Sequence, residues 1–279
     1  MAPFLANRIW NREAFAAEYI HCSRCDFGFF NPRLEPAEEA RLYKGYRDEE
    51  YLTVRHSTEP WYTASLNSSF DDLQTMDARR RRLRKIFSNC LSSAGPTSVL
   101  DFGGDRGELI DALFPGSEKF VYDISGVQPL PGIRSVSLAE GTQKCFGLII
   151  CSNVLEHVAN PRGLLREIES VAKPGTFIFL EVPIESPGDL RTIVKRLIQE
   201  TILFVTRPTL AIQLLKLRSI NVMHEHLNFF SLRSLERLAA SFKSWDIIAT
   251  GQYAPFVRTA SPTAWVLVHS RGYHDSPGS

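Results

Sequence analysis

The sequence contains no uninterrupted apolar run approaching the ~20 residues of a membrane-spanning helix, so no transmembrane segment is expected. It has no surplus of either charge. Lys+Arg total 32 against 31 Asp+Glu, so global electrostatics give no reason to expect nucleic acid as a partner, and any such claim must rest on a local patch. Cysteines are few. The five present fall as Cys22-x-x-Cys25 plus scattered Cys90, Cys145 and Cys151, unlike the dense framework of a secreted mini-domain. Residues 1–10 lack the basic stretch and apolar core of a leader peptide, and a cytoplasmic globular protein is expected. There is no internal repeat and no low-complexity tract. No Gly-Lys-Ser/Thr closes a glycine-rich turn, which excludes a phosphate loop, and Gly103, Gly104 and Gly107 do not match Gly-x-Gly-x-x-Gly, which disfavours a dinucleotide site.

Hydrophobic residues make up 44% of 279, enough for a substantial core. The stretch Val99-Leu100-Asp101-Phe102-Gly103-Gly104-Asp105-Arg106-Gly107-Glu108-Leu109 predicts a strand, a tight turn and a helix. Beyond it, strands are predicted at residues 119–122, 134–138 (weak) and 146–151. A helix at 162–172, opened by Pro161 and closed by Lys173-Pro174-Gly175, leads to a strand at 176–182. Such alternation specifies a doubly wound, Rossmann-like α/β fold with a mostly parallel sheet covered by helices on both faces. After Pro183 the rhythm breaks: helices at 189–205 and 208–217 form an insertion, followed by a helix at 232–241 and strands at 245–250 and 264–269. Upstream, residues 36–46 read as helical. A long helix at 61–88 carries the basic run from Arg79 to Lys85, expected to be a solvated face. The expected organisation is an extension at 1–60, a domain at 61–271 with its insertion near 187–220, and a frayed tail at 272–279. The insertion helices are expected to pack on the core, with an acceptor lid, a dimer surface or an interfacial membrane contact as alternatives, because Lys195, Arg196, Lys216 and Arg218 interleave with apolar positions.

Certain side chains carry chemistry. Asp123 ends the next strand 22 residues after Asp101, the spacing at which an acidic side chain takes the ribose hydroxyls of a nucleotide; both could equally be strand-end caps. Glu156-His157 follows the strand at 146–151, at the carboxyl edge where ligands of such sheets bind, and His157 suits either a base or a packing group. In His224-Glu225-His226 an extended backbone places both histidines on one side. A metal there needs a third ligand that the sequence does not supply, and none is expected. Cys22-x-x-Cys25, beside His21, is half of a four-ligand zinc set; with no second pair, a metal-free knuckle is expected.

Several blocks together resemble the class I S-adenosylmethionine-dependent methyltransferases, in particular the small-molecule branch that includes sugar methyltransferases: Val99 to Gly107, the strand and turn from Phe146 to Val158, Lys173-Pro174-Gly175-Thr176-Phe177, and Glu225-His226-Leu227-Asn228-Phe229-Phe230-Ser231. The resemblance spans residues 98–270 and implies a seven-stranded sheet whose last strand runs antiparallel. It implies S-adenosylmethionine as cofactor, with Asp101 helping to hold its amino-acid end, Gly103, Gly104 and Gly107 admitting it to the backbone, Asp123 at the ribose, and Asp105 and Asn153 also on the cofactor side. On the acceptor side it implies His226 as first choice for general base, Glu225 orienting it or the substrate, and His157 as the other candidate base. The implied acceptor is a small molecule, a nucleotide-linked sugar or glycan-biosynthesis intermediate. The Cys22/Cys25 pair resembles half of a zinc ribbon found at the N-terminus of related methyltransferases. The sequence departs from the family at Asp105, where the middle glycine of the first motif usually stands, and at Gly147, where an aspartate is common. Two other functions are weighed: a nucleic-acid methyltransferase or binder using the Arg79–Lys85 patch, and a binding protein that keeps the fold without the chemistry.

Overall fold

The computed structural model describes residues 3–12, 17–46, 48–63, 73–92, 95–186, 188, 190–216, 226–254 and 261–272. The central strands are apolar almost throughout. β3 (Ser98–Phe102) is buried at every position, and β6 (Leu148–Ser152) and β7 (Phe177–Pro183) are buried over most of their length. Continuous apolar runs of this kind need cover on both faces. Alternate residues of each strand go to opposite sides: Leu100, Ile149 and Ile178 join one core, Val99, Ile150 and Phe179 the other.

With β4 (Glu118–Tyr122), β5 (Ile133–Ser135), β9 (Trp245–Tyr253) and β10 (Thr263–Ser270), they form a seven-stranded sheet in the order β5-β4-β3-β6-β7-β10-β9. β10 runs antiparallel to both of its neighbours, and the other pairings are parallel. From β3 the chain winds out through β4 and β5, then returns to lay β6 on the other side of β3. The β3/β6 boundary is therefore the topological switch point, where doubly wound sheets open a crevice beyond the strand carboxyl ends.

Some boundaries differ from expectation. Leu138, predicted within a strand, instead begins a helix (Leu138–Thr142), because Ser137 and Glu140 form a reciprocal capping box that fixes a helix start. Of the long helix predicted from residue 61, the described part runs from Leu73 to Cys90 (α4 in chain order); Trp61 to Thr63 are not helical, and residues 64–72 lie outside the described ones, as do 273–279 of the predicted tail.

The N-terminal segment supplies α1 (Pro3–Trp10), β1 (Glu18–Cys22), β2 (Phe27–Asn31), α2 (Pro36–Tyr43) and α3 (Glu49–Thr58). Its three-stranded sheet, β1-β2-β8, takes its third strand, β8 (Asn228–Phe229), from beyond the insertion. A separate core, with Phe4, Leu5, Phe30, Leu42 and Tyr51, extends to Leu227. Arg33 locks the junction. Its guanidinium donates to the Asn228 side chain at 2.7 Å, to the Val158 carbonyl at 3.1 Å and to the Ala159 carbonyl. Asn228 in turn donates to the Leu155 and Val158 carbonyls at 2.7 Å each.

Candidate active site

Where β3 ends, the chain turns through Gly103 and Gly104 into a short helix, Glu108–Asp111. Gly103 has φ +75°, and a Cβ on Gly104 would lie 2.2 Å from Cγ of Asp101, so no side chain fits above that carboxyl. Gly107 is left-handed as well, with Ile133 where its Cβ would be. The glycines are thus required by the chain's own packing. Asp105, standing in place of the family's glycine, takes the same left-handed conformation, φ +53°. Among residues with a Cβ, Asp and Asn adopt it most readily. Its backbone N–H donates to Asp123 Oδ2 at 2.8 Å, and the Ser125 N–H donates to Oδ1 at 2.8 Å. Asp123 therefore holds the loop closed, and each oxygen keeps a lone pair for a ligand hydroxyl.

Asp101 is only 3% exposed, and its Oδ2 finds no hydrogen-bond partner among the described residues. Burial pushes its pKa up to about 7; Arg79 opposes that rise, while Asp123, Glu108 and Asp105 add to it. The mouth of the loop is thus a ring of carboxyl groups around a buried one.

Across the switch point lies the turn after β6. Asn153 adopts φ +57°, again a conformation asparagine tolerates, and its N–H donates to the Glu181 carbonyl at 2.9 Å. Beyond it Glu156, 1% exposed, has one oxygen without a partner among the described residues, and burial raises its pKa to about 7. His157 and His226 approach ring to ring, centroids 4.8 Å apart. One donor atom from each of Glu156, His157 and His226 falls within a 4.8 Å cluster.

His226 lies 2.6 Å through Nδ1 from Oε2 of Glu185, whose Oε1 accepts from Ser261 Oγ at 2.7 Å. A carboxylate there accepts from Nδ1–H, which leaves Nε2 as the proton-accepting nitrogen. The structure thus brings His157 and His226 together as candidate bases. Glu225, to which the resemblance gave the role of orienting His226 or the substrate, lies outside the described residues, as does His224; among the described ones Glu185 holds that ring. Glu185 went unnoticed in the sequence, although it follows the strand ending at Pro183, at the same carboxyl edge that singled out Glu156-His157.

The basic run is a correction. Arg81, Arg84 and Lys85 are exposed as expected, but four of the run's five guanidinium groups tie α4 to the sheet and its loops: Arg79 donates to Ser152 Oγ at 3.0 Å, Arg82 to the Ala254 carbonyl at 3.0 Å, Arg80 to the Glu108 carbonyl and Arg84 to the Ala112 carbonyl. Arg79 also lies 3.8 Å from Glu181. A patch occupied in this way is poorly suited to phosphate backbones.

Cys22 and Cys25 sit in the β1–β2 turn, Cys22 exposed and Cys25 half-buried. The Cys25 backbone N–H lowers the Cys22 pKa, while burial raises that of Cys25. A pocket of about 430 Å³ opens beside them, lined by Phe27, Phe29, Arg33, Phe230 and Arg237 among others; none of the predicted catalytic or cofactor side chains faces it.

Comparison with known proteins bears on this geometry. A family model described as a methyltransferase domain matches residues 76–242. No curated protein matches the sequence. Among solved structures, the chain is similar to a 1,6-didemethyltoxoflavin-N1-methyltransferase from Burkholderia thailandensis with bound 1,6-didemethyltoxoflavin and S-adenosylhomocysteine (TM-score 0.53, 14% identity, covering 92% of this chain and 99% of that one), a likeness of fold. It is also similar to the plantazolicin methyltransferase BpumL in complex with S-adenosylhomocysteine (TM-score 0.48, 11% identity, 84% and 95% covered).

Proposed function

This chain belongs to the methyltransferase-domain family, and from that premise we propose that it methylates a sugar or another glycan-biosynthesis intermediate, with His226 as general base held by Glu185. It is an S-adenosylmethionine-dependent methyltransferase; the acceptor class and the residue roles are our reading. Whether the loop after β3 fits that donor is tested by Asp101. A buried carboxyl with an orphaned oxygen, ringed by Asp105, Glu108 and Asp123, is poorly satisfied alone and well satisfied by a cationic ligand. The donor carries an ammonium and a sulfonium, so the residues fit. Asp101 would hold the amino-acid end, and Asp123 the ribose hydroxyls through lone pairs that the Asp105 and Ser125 N–H groups leave open. Gly104, bare above Asp101, would admit the ligand to the backbone, with Asn153 shaping the opposite rim. When bound, the donor supplies an activated methyl group.

The rest falls to positioning and proton removal. His226 Nε2 takes the proton from the acceptor atom as that atom is methylated. The charge formed on the ring faces Glu185 across Nδ1, and the Ser261 hydroxyl keeps Glu185 oriented. The observation that carries this reading is the His226–Glu185 contact at 2.6 Å, on the acceptor side of the switch point. The sugar class rests on the resemblance of the stretch from Glu225 to Ser231 to sugar methyltransferases.

Transfer of labelled methyl from S-adenosylmethionine into a panel of sugar nucleotides, lipid-linked sugars and RNA tests it. Incorporation into a sugar, greatly reduced by His226→Gln, is the expected result; labelling of RNA with every sugar refused overturns the acceptor class.

A further inference from the structure

The insertion after β7 consists of two helices, α8 (Leu190–Thr206) and α9 (Pro208–Lys216). Its apolar residues point the wrong way for a helix packed on a core. Among the described side chains of the pair, only Leu203, Ala211 and the polar Gln199 are buried, and Leu203 and Ala211 pack against Trp61 and Leu210 in a cluster of their own, apart from the main core. Of the eleven exposed large hydrophobic residues among the described ones, eight lie in these two helices, including Val205 at 77% exposure and Leu197 and Ile198 at 56% each. At ~100° per residue, the exposed positions of α8, from Ile193 to Val205, fall in an arc of about 140° opposite Gln199 and Leu203. Residues 190–216, the two helices with Arg207 between them, hold five Lys/Arg and a single Glu, although the whole chain is nearly neutral.

We propose that this helical pair docks the enzyme on an anionic phospholipid surface, its apolar stripe entering the interface and its cations meeting the headgroups. Neither helix is long and apolar enough to cross a membrane, so the pair lies on the surface and does not span it. A second copy of the chain fits less well, because an isologous contact would set the cationic segment against itself, whereas anionic headgroups complement it. α8 begins five residues after Glu185, which ties the docking surface to the acceptor side along the chain.

The test is flotation of the full-length protein with vesicles of phosphatidylcholine alone or mixed with phosphatidylglycerol, at low and high salt. Binding is expected to the mixed vesicles, weakened by salt, and reduced about tenfold in the double variant Leu197→Ser, Val205→Ser. The thermal midpoint should hold, since both residues are exposed. Absence of binding to mixed vesicles, or equal binding by the folded double variant, overturns the proposal. So does a lipid-free dimer, seen by sedimentation, that the same variant dissociates.

Discussion

Asp101 in β3 and Glu156 in the turn after β6 share one predicament: both are carboxyls at least 97% covered, each has an oxygen with no partner among the described residues, and burial has raised each pKa to about 7. Their neighbours differ. Around Asp101 stand three further carboxyl groups, with Arg79 the opposing cation; Glu156 has two, Glu185 and Glu181, and its strongest opposing influence is the imidazole of His226. Desolvation alone makes a poor carboxylate at either place, and what surrounds it decides its use. On the proposed reading the Asp101 side takes a cationic ligand. The Glu156 side already contains an imidazole, and fits proton handling at an acceptor.

The comparison breaks most sharply at His226. His226→Gln is expected to lower kcat about 1,000-fold, within the usual range for a general base, while thermal stabilisation by S-adenosylhomocysteine stays as in the parent. If that stabilisation disappears as well, the two sides are not separate. Next comes pH. Both carboxyls hold protons in the fold that the unfolded chain releases above the ordinary carboxylate range, so between about pH 4.5 and 7 the native state binds more protons and stability must fall as pH rises. Denaturant unfolding of the ligand-free chain is expected to give a stability at pH 8 lower than at pH 5 by about 3 kcal/mol per group on these two groups' account. A flat or rising profile contradicts the burial of two uncompensated carboxyls. Smaller again is Glu185→Gln, which keeps the ring's neighbour but removes its charge. It is expected to reduce kcat about tenfold and to shift the acid limb of the pH–rate profile to lower pH, a shift that a purely structural role would not produce.

How much of this was legible follows distance along the chain. The turn from Asp101 to Gly107 is local chemistry, and its strand and its turn could be read from residue types, whereas the positive φ that Asp105 adopts in the glycine's place came from the structure. The carboxyl-edge position of Glu156-His157 followed from strand order alone. What escaped were contacts between distant residues: His226 meets Glu185 across 41 residues, Arg79 meets Ser152 across 73, and Arg33 meets Asn228 across 195. A run of arginines reads as a solvated face when only its own helix is considered, and becomes a set of ties once the sheet edge and the loops lie beneath it. The outward apolar stripe of the insertion was hidden for a related reason. Helical spacing shows that a stripe exists, and only the fold shows which side of it is already taken.

The central claim is that Asp101 waits, protonated near neutrality, for the cationic end of the methyl donor. Calorimetric titration with S-adenosylhomocysteine, which carries the same ammonium, tests it directly when done at pH 6.5 in two buffers of different ionisation enthalpy. The account predicts release of about three-quarters of a proton per ligand bound, and loss of that release, with affinity weakened by about 2 kcal/mol, in Asp101→Asn. Tight binding that releases no proton and is indifferent to Asp101→Asn would contradict it.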